Sequence, residues 1–139
     1  MAGPINIDPS KPRHREPEFG TASEQDVPVF LGVMRVLREP AIAPAFSRLL
    51  TGDARQEDEI PLAHLFEEIC TMAVHRLISE DLLFDAFAFD LYWDRLHEAV
   101  SAVRQKTEHD KFCENFEICA ELARAYRRSR PSKLPAGVS

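Results

Sequence analysis

From about position 27 to position 126, apolar residues return at intervals of three and four, the period of a helix with one buried face, and no stretch alternates as a half-buried strand would. Phe30, Val33, Met34 and Leu37 predict a first helix over residues 27–38, with Ser23 or Asp26 to cap it and Pro28 tolerated in its first turn. Glu39 and Pro40 interrupt the pattern, and a short second helix over 41–50 closes at Gly52, which suits the left-handed position after a helix end. The charged run DARQEDE reads as a loop, and Pro61 as the first residue of a third helix built on Leu62, Leu65, Phe66, Ile69, Met72, Ala73 and Leu77. A tight corner is expected at 77–79, because Ser79 can cap the next helix while Ile78 and Leu83 occupy the positions of a hydrophobic staple.

The fourth helix has the most regular pattern. Leu82, Ala86, Phe89, Trp93, Leu96, Val100 and Val103 step strictly by four and three. Leu83, Phe84, Phe87 and Leu91 add a second apolar side, which places this helix centrally. Thr107 is the expected cap of a fifth helix carrying Phe112, Phe116, Cys119, Ala123 and Tyr126. Long helices joined by short corners predict an all-α fold, a single-domain antiparallel bundle of four to five helices. Prolines 4, 9, 12 and 17 mark residues 1–22 as a flexible arm, the bundle spans 23–128, and Pro131 and Pro135 make 129–139 a flexible basic tail.

Composition adds a charge pattern. The chain has 139 residues and a net charge of −6. Residues 16–123 hold 22 acidic against 9 basic side chains, a net −13, between two short basic ends. Such a body repels nucleic acid and favours basic partners, with only a weak anionic contact open to the basic tail. The three cysteines, Cys70, Cys113 and Cys119, lie in apolar periodic segments without metal-ligand spacing, as buried free thiols do in a reducing compartment. The N-terminal residues lack the apolar run of a signal peptide and no segment is long and apolar enough to span a membrane, so a soluble cytoplasmic protein is expected.

Candidate chemistry concentrates in HLFEEICTMAVH, residues 64–75. His64 and Glu68 are one turn apart and could share a metal, but His75 lies seven residues beyond Glu68, roughly 10 Å along the axis, too far for one ion. Glu67 points elsewhere on the wheel, and Cys70 points away from both histidines. A second stripe, Asp90, Asp94 and His97, flanks the fourth helix with D-x-x-H spacing, close to the E-x-x-H pairs of dimetal bundles, although it occurs once. The only candidate metal set is therefore His64, Glu68, Asp94 and His97, provided that the two flanks face each other. No nucleophile elbow, phosphate loop or dinucleotide fingerprint is present, so neither a catalytic residue nor a cofactor is assigned. Arg124, Arg127 and Arg128 suit the last turn of a helix, while Arg130 and Lys133 lie beyond it.

The segments FEEICTMAVHRLISEDLLFDAFAFDLYWDRL and CENFEICAELARAY resemble a family of small bacterial helical proteins classed as a domain of unknown function. Its members share an apolar helix with an F-x-E pattern, a corner before an acidic start, a long helix with a central tryptophan and a last helix with an F-E pair. The resemblance covers about residues 27–127 and implies a helical fold without transferring a catalytic residue. The reading that follows is a non-enzymatic binding or regulatory protein whose acidic body meets a protein partner, with an immunity-like or inhibitor-like role as one version. Its alternatives are a metal-dependent enzyme at the four candidate ligands and a structural homo-oligomer pairing through Phe84, Phe87 and Trp93 of the fourth helix.

Overall fold

Each apolar stripe becomes helical, and the described residues contain no strand. The structure, a computed structural model, describes residues 16–130 and Lys133; the first fifteen residues of the N-terminal arm and most of the C-terminal tail lie outside the described residues. A 3₁₀ turn at Glu24–Asp26 leads into α1 (Val27–Leu37), followed by α2 (Ala43–Thr51), α3 (Gln56–Val74), α4 (Glu80–Ala86), α5 (Phe89–Thr107) and α6 (Glu114–Ser129). The core lies where α3, α5 and α6 pack on one another. Phe66 of α3 sits at its centre, stacked on Tyr92 with ring centres 4.9 Å apart and meeting Phe46, Phe89 and Phe116 at 5.4–6.1 Å. Phe66 is fully buried, so four aromatic neighbours from α2, α5 and α6 converge on one side chain.

Gly52 and Ser79 act as expected, whereas Asp26 stands at the start of α1 without capping it through its side chain. Gly52 closes α2 at φ 82°, and the Ser79 hydroxyl accepts from the Leu82 N–H, with Ile78 and Leu83 both buried. Elsewhere the boundaries move. The helix expected to open at Pro61 starts five residues earlier, because Asp58 accepts from the Arg55 N–H at 2.9 Å and turns the charged run into a helix start. Pro61 therefore lies inside α3, at the cost of one backbone bond, while Glu57, Asp58 and Glu59 sit against the positive end of the helix dipole. At the other end α3 stops at Val74. Arg76, at φ 59°, takes the left-handed position usually given to glycine, and Leu77 N–H donates to Met72 C=O at 2.8 Å. Leu77 is thus turned outward, 65% exposed, and does not belong to the core as its spacing implied.

The expected fourth helix is two helices, which raises the expected four to five to six among the described residues. Phe87 is extended, at φ −131° and ψ 137°. On one straight helix, Leu83 and Phe84 would point roughly 120–140° away from Phe89 at about 100° per residue. The break turns both groups inward, so Leu83, Phe84, Phe89, Leu96 and Val100 are all buried, Tyr92 joins them, and Ala86 is exposed. Thr107 does not cap the last helix; it ends α5, its hydroxyl donating to Val103 C=O at 2.7 Å.

The cap of α6 comes from another helix. Cys113 precedes α6 in a left-handed conformation and offers no side-chain cap. The carboxylate of Glu67 on α3 takes that role, accepting from Phe116 N–H at 2.9 Å and from the Asn115 amide at 2.9 Å. Asn115 also donates to the Thr71 hydroxyl at 3.0 Å. Glu67 thereby fixes the start of α6 on the middle of α3. Glu67→Ala is expected to lower unfolding free energy by about 1–2 kcal/mol in a denaturant titration, the usual effect of a lost cap. Glu68→Ala, next in sequence but exposed, is expected to change it by less than about 0.5 kcal/mol.

Candidate functional site

The residues singled out by their chemistry divide between solvent and structural duties. His64 Nδ1 lies 3.5 Å from Glu68 Oε1, with both side chains about two-thirds exposed. His75 is the exposed residue closing α3. Cys70 is fully buried, and burial, followed by a hydrogen bond with Cys119, pushes its thiol pKa well up. Burial likewise raises Cys113 to about 12. All three cysteines are free and buried, and neither of these two thiols supplies a thiolate near neutral pH.

The stripe on α5 is met by arginines rather than by the other candidate flank. Asp90 receives Arg127 at 2.7 and 3.1 Å, and Asp94 receives Arg124 at 2.8 and 3.3 Å. As position advances along α5 it retreats along α6, so the rungs record an antiparallel register. The ladder continues with Arg130 and Lys133 at Asp85. Burial alone would raise the Asp90 pKa, but the Arg127 hydrogen bond and charge outweigh it and leave it lowered. His97 lies beside Trp93, ring centres 6.3 Å apart. Among the described residues no three His, Cys, Asp or Glu side chains gather into a set able to hold a metal, so His64, Glu68, Asp94 and His97 are not brought together as one.

Sequence reasoning missed the ionic groups that close helix ends. Asp26 is buried and accepts from Ser79 N–H at 2.8 Å, across 53 residues, as well as from Ser23 N–H at 2.8 Å. Arg48 forms a two-bond pair with Asp58, each at 2.8 Å, which joins α2 to the start of α3. Arg95 donates to the last carbonyls of α2, at Leu49 and Leu50. Arg104 donates to Phe112 C=O at 2.8 Å and to Glu117 at 2.9 Å, with its guanidinium 5.7 Å from the centre of the Trp93 ring. The only sequence signal for these roles is a polar residue beside an apolar stripe, which does not name the partner.

Two recesses flank this framework. One, of about 280 Å³, lies where residues 18–26 cross the corner between α3 and α4. There Glu18 N–H donates to Glu80, Gly20 N–H to Asp81, and Arg76 to Glu18, all at 2.8–3.0 Å, while Thr21 and Ser79 share a hydrogen bond at 2.7 Å. Phe19 stacks on Tyr126 with ring centres 5.0 Å apart. The polar groups of this corner bond to one another and strap the chain down. The second recess, about 400 Å³, is apolar and runs between α1, α2 and the break after α4, with Phe30, Met34, Phe46 and Phe87 among its walls. Of the aromatic residues assigned to pairing, Phe84 is buried against Tyr126, while Trp93 and Phe87 are half-buried beside Phe116 and Phe30.

Residues 24–124 match the model of a family described as a domain of unknown function, DUF4760, in keeping with the resemblance carried by the FEEIC and CENFEIC segments. No curated protein and no solved structure matches the chain. No helix among the described residues is long and apolar enough to cross a membrane.

The Arg48–Asp58 pair yields a pH expectation. Hydrogen bonds from Arg48, then from the Arg55 backbone, hold the Asp58 carboxyl at about 2, below its ordinary 3.8. A lowered folded-state pKa gives stability that is present above 3.8 and lost as pH falls toward 2. The melting midpoint is expected to fall across that window, and Asp58→Asn to lower the neutral-pH midpoint while flattening the acid limb. An acid limb as steep in Asp58→Asn as in the parent chain excludes this assignment.

Proposed function

We propose a non-catalytic binding or regulatory role for this chain, which belongs to the DUF4760 family: it captures a basic protein partner on its acidic exterior. One observation carries the reading. Six arginines are already matched within the fold or along its surface: Arg48, Arg76, Arg95, Arg104, Arg124 and Arg127 bind carboxylates or helix-end carbonyls. Among the described residues Glu39, Glu59, Glu98, Glu108, Asp110 and Glu121 form no ion pair, and Glu57 and Glu68 face solvent at 75% and 66% exposure. These unpaired acids lie on the body of residues 16–123, whose net charge is −13, and leave its exterior acidic. Such a surface accelerates encounter with a positively charged target and rejects anionic ones, the kinetics suited to an inhibitor or immunity protein.

Against catalysis stands the lack of convergence: the described acids and bases are tied to helix ends or separated on the surface, and the three thiols are buried. The three buried free thiols fit a reducing, cytoplasmic setting.

The test is capture by the tagged full chain at about 0.05 M and about 0.5 M salt, a range over which exposed charges pass from weakly to strongly screened. A basic partner is expected at low salt and lost at high salt. Reversing Glu57, Glu68 and Glu98 to lysine, which brings the formal charge from −6 to zero, should weaken capture at least about tenfold with little change in melting midpoint. Recovery of no basic protein at low salt sinks the reading.

A further inference from the structure

Helix α1 is apolar on two sides. Its inner side places Val33 and Leu37 in the core. Its outer side carries Val27 and Leu31, each 48% exposed, one turn apart, with Pro28 beside them and half-buried Met34 one turn on. A helix that is apolar all round is ordinarily covered all round. The charges along this outer stripe are segregated: exposed Glu24 lies one turn before Val27, and exposed Arg35 and Arg38 follow Leu31 by one and two turns. Neither arginine forms an ion pair among the described residues, unlike the cations of α6. The helix dipole by itself favours an acid at the start and bases at the end. It does not account for the apolar residues between them.

We infer that the outer stripe of α1 is a self-complementary surface on which a second copy of this chain docks, the two α1 helices antiparallel and crossing at Leu31. In an isologous contact about a two-fold axis at Leu31, positions equally distant on either side face one another. Leu31 meets its own copy, Arg38 meets Glu24 of the partner subunit, the stem of Arg35 lies over Val27 of the partner subunit, and Met34 lies against Pro28 of the partner subunit. The recess lined by Leu31, Met34, Arg35, Arg38 and Glu39, about 390 Å³, supplies the groove beside the crossing. Every apolar residue of the stripe finds an apolar surface and each end finds its opposite charge. A parallel pairing would set Arg38 on Arg38. The eleven residues of α1 extend about 16 Å, less than a standard interface requires, so the dimer is reversible.

Apart from Glu39, this surface shares no residue with the unpaired acids of the exterior, and a chain that stays monomeric leaves the capture of a basic partner to be tested on its own. The experiment is sedimentation equilibrium of the full chain from about 1 µM to about 1 mM, a range that brackets a weak interface. The expected result is a mass rising from 15.8 kDa toward twice that value. Leu31→Glu should raise the dissociation constant at least about tenfold, while Leu77→Glu, at an exposed leucine elsewhere, should leave it unchanged. The register is tested by charge exchange: Arg38→Glu and Glu24→Lys should each weaken the dimer, and the double exchange should restore it. Circular dichroism of each variant confirms that it is folded. A monomer throughout the range, a dimer indifferent to Leu31→Glu, or a double exchange no better than the single ones overturns the inference.

Discussion

A helix that ends against protein rather than water leaves N–H and C=O groups that must find partners within the fold, and that requirement organises this bundle. The six helices among the described residues have many such ends, and local caps serve only some of them. Gly52 and Ser79 close ends from within their own segment. Glu67, Asp26 and Arg95 close ends from other helices, at separations of 45–53 residues. Each of these bonds therefore does two things at once: it satisfies a helix end and fixes where one helix lies on another.

The same requirement ties up many of the ionisable residues. Asp58, accepting from Arg48 and from the Arg55 N–H at the start of α3, is held in its charged form by the geometry that makes it useful. A guanidinium shared between a carbonyl, a carboxylate and an indole face, as Arg104 is, has no donor aimed at an open cleft. The surface rungs between α5 and α6 are too exposed to add much stability, since pairs of this kind contribute about 0–1 kcal/mol. They select the antiparallel register and the neighbour.

What could be read along the chain was what depends on near neighbours. The apolar steps located the helices because burial of one face needs only the helical period, and Gly52 and Ser79 marked ends because their effects are local. The break at Phe87 was hidden because the four-three spacing of Leu82, Ala86, Phe89 and Trp93 runs through it without a proline or glycine. The true start of α3 was hidden because Pro61 is itself a strong start signal, whereas the role of Asp58 depends on Arg48 as well as on its own turn. Half of the ion ladder was visible as a spaced stripe of aspartates, but its partners could be named only once α6 was known to run antiparallel to α5. Glu67 and Glu68 are adjacent and chemically identical, and only the position of α6 separates a structural cap from a solvated side chain.

The strap formed by residues 18–21 has a kinetic consequence. Its bonds reach Arg76, Ser79, Glu80 and Asp81, 58–62 residues ahead, at a corner that exists only once α3 and α4 have met. Closing so long a loop for a few hydrogen bonds and one stacked ring is entropically worthwhile only onto a surface already in place. The strap is therefore the last segment to settle during folding and the first to lift in native-state fluctuations, so that its amides should exchange with solvent well before those of α3 and α6. When it lifts it uncovers Tyr126, on which Phe19 lies, and so couples the looseness of the N-terminal segment to the end of the last helix.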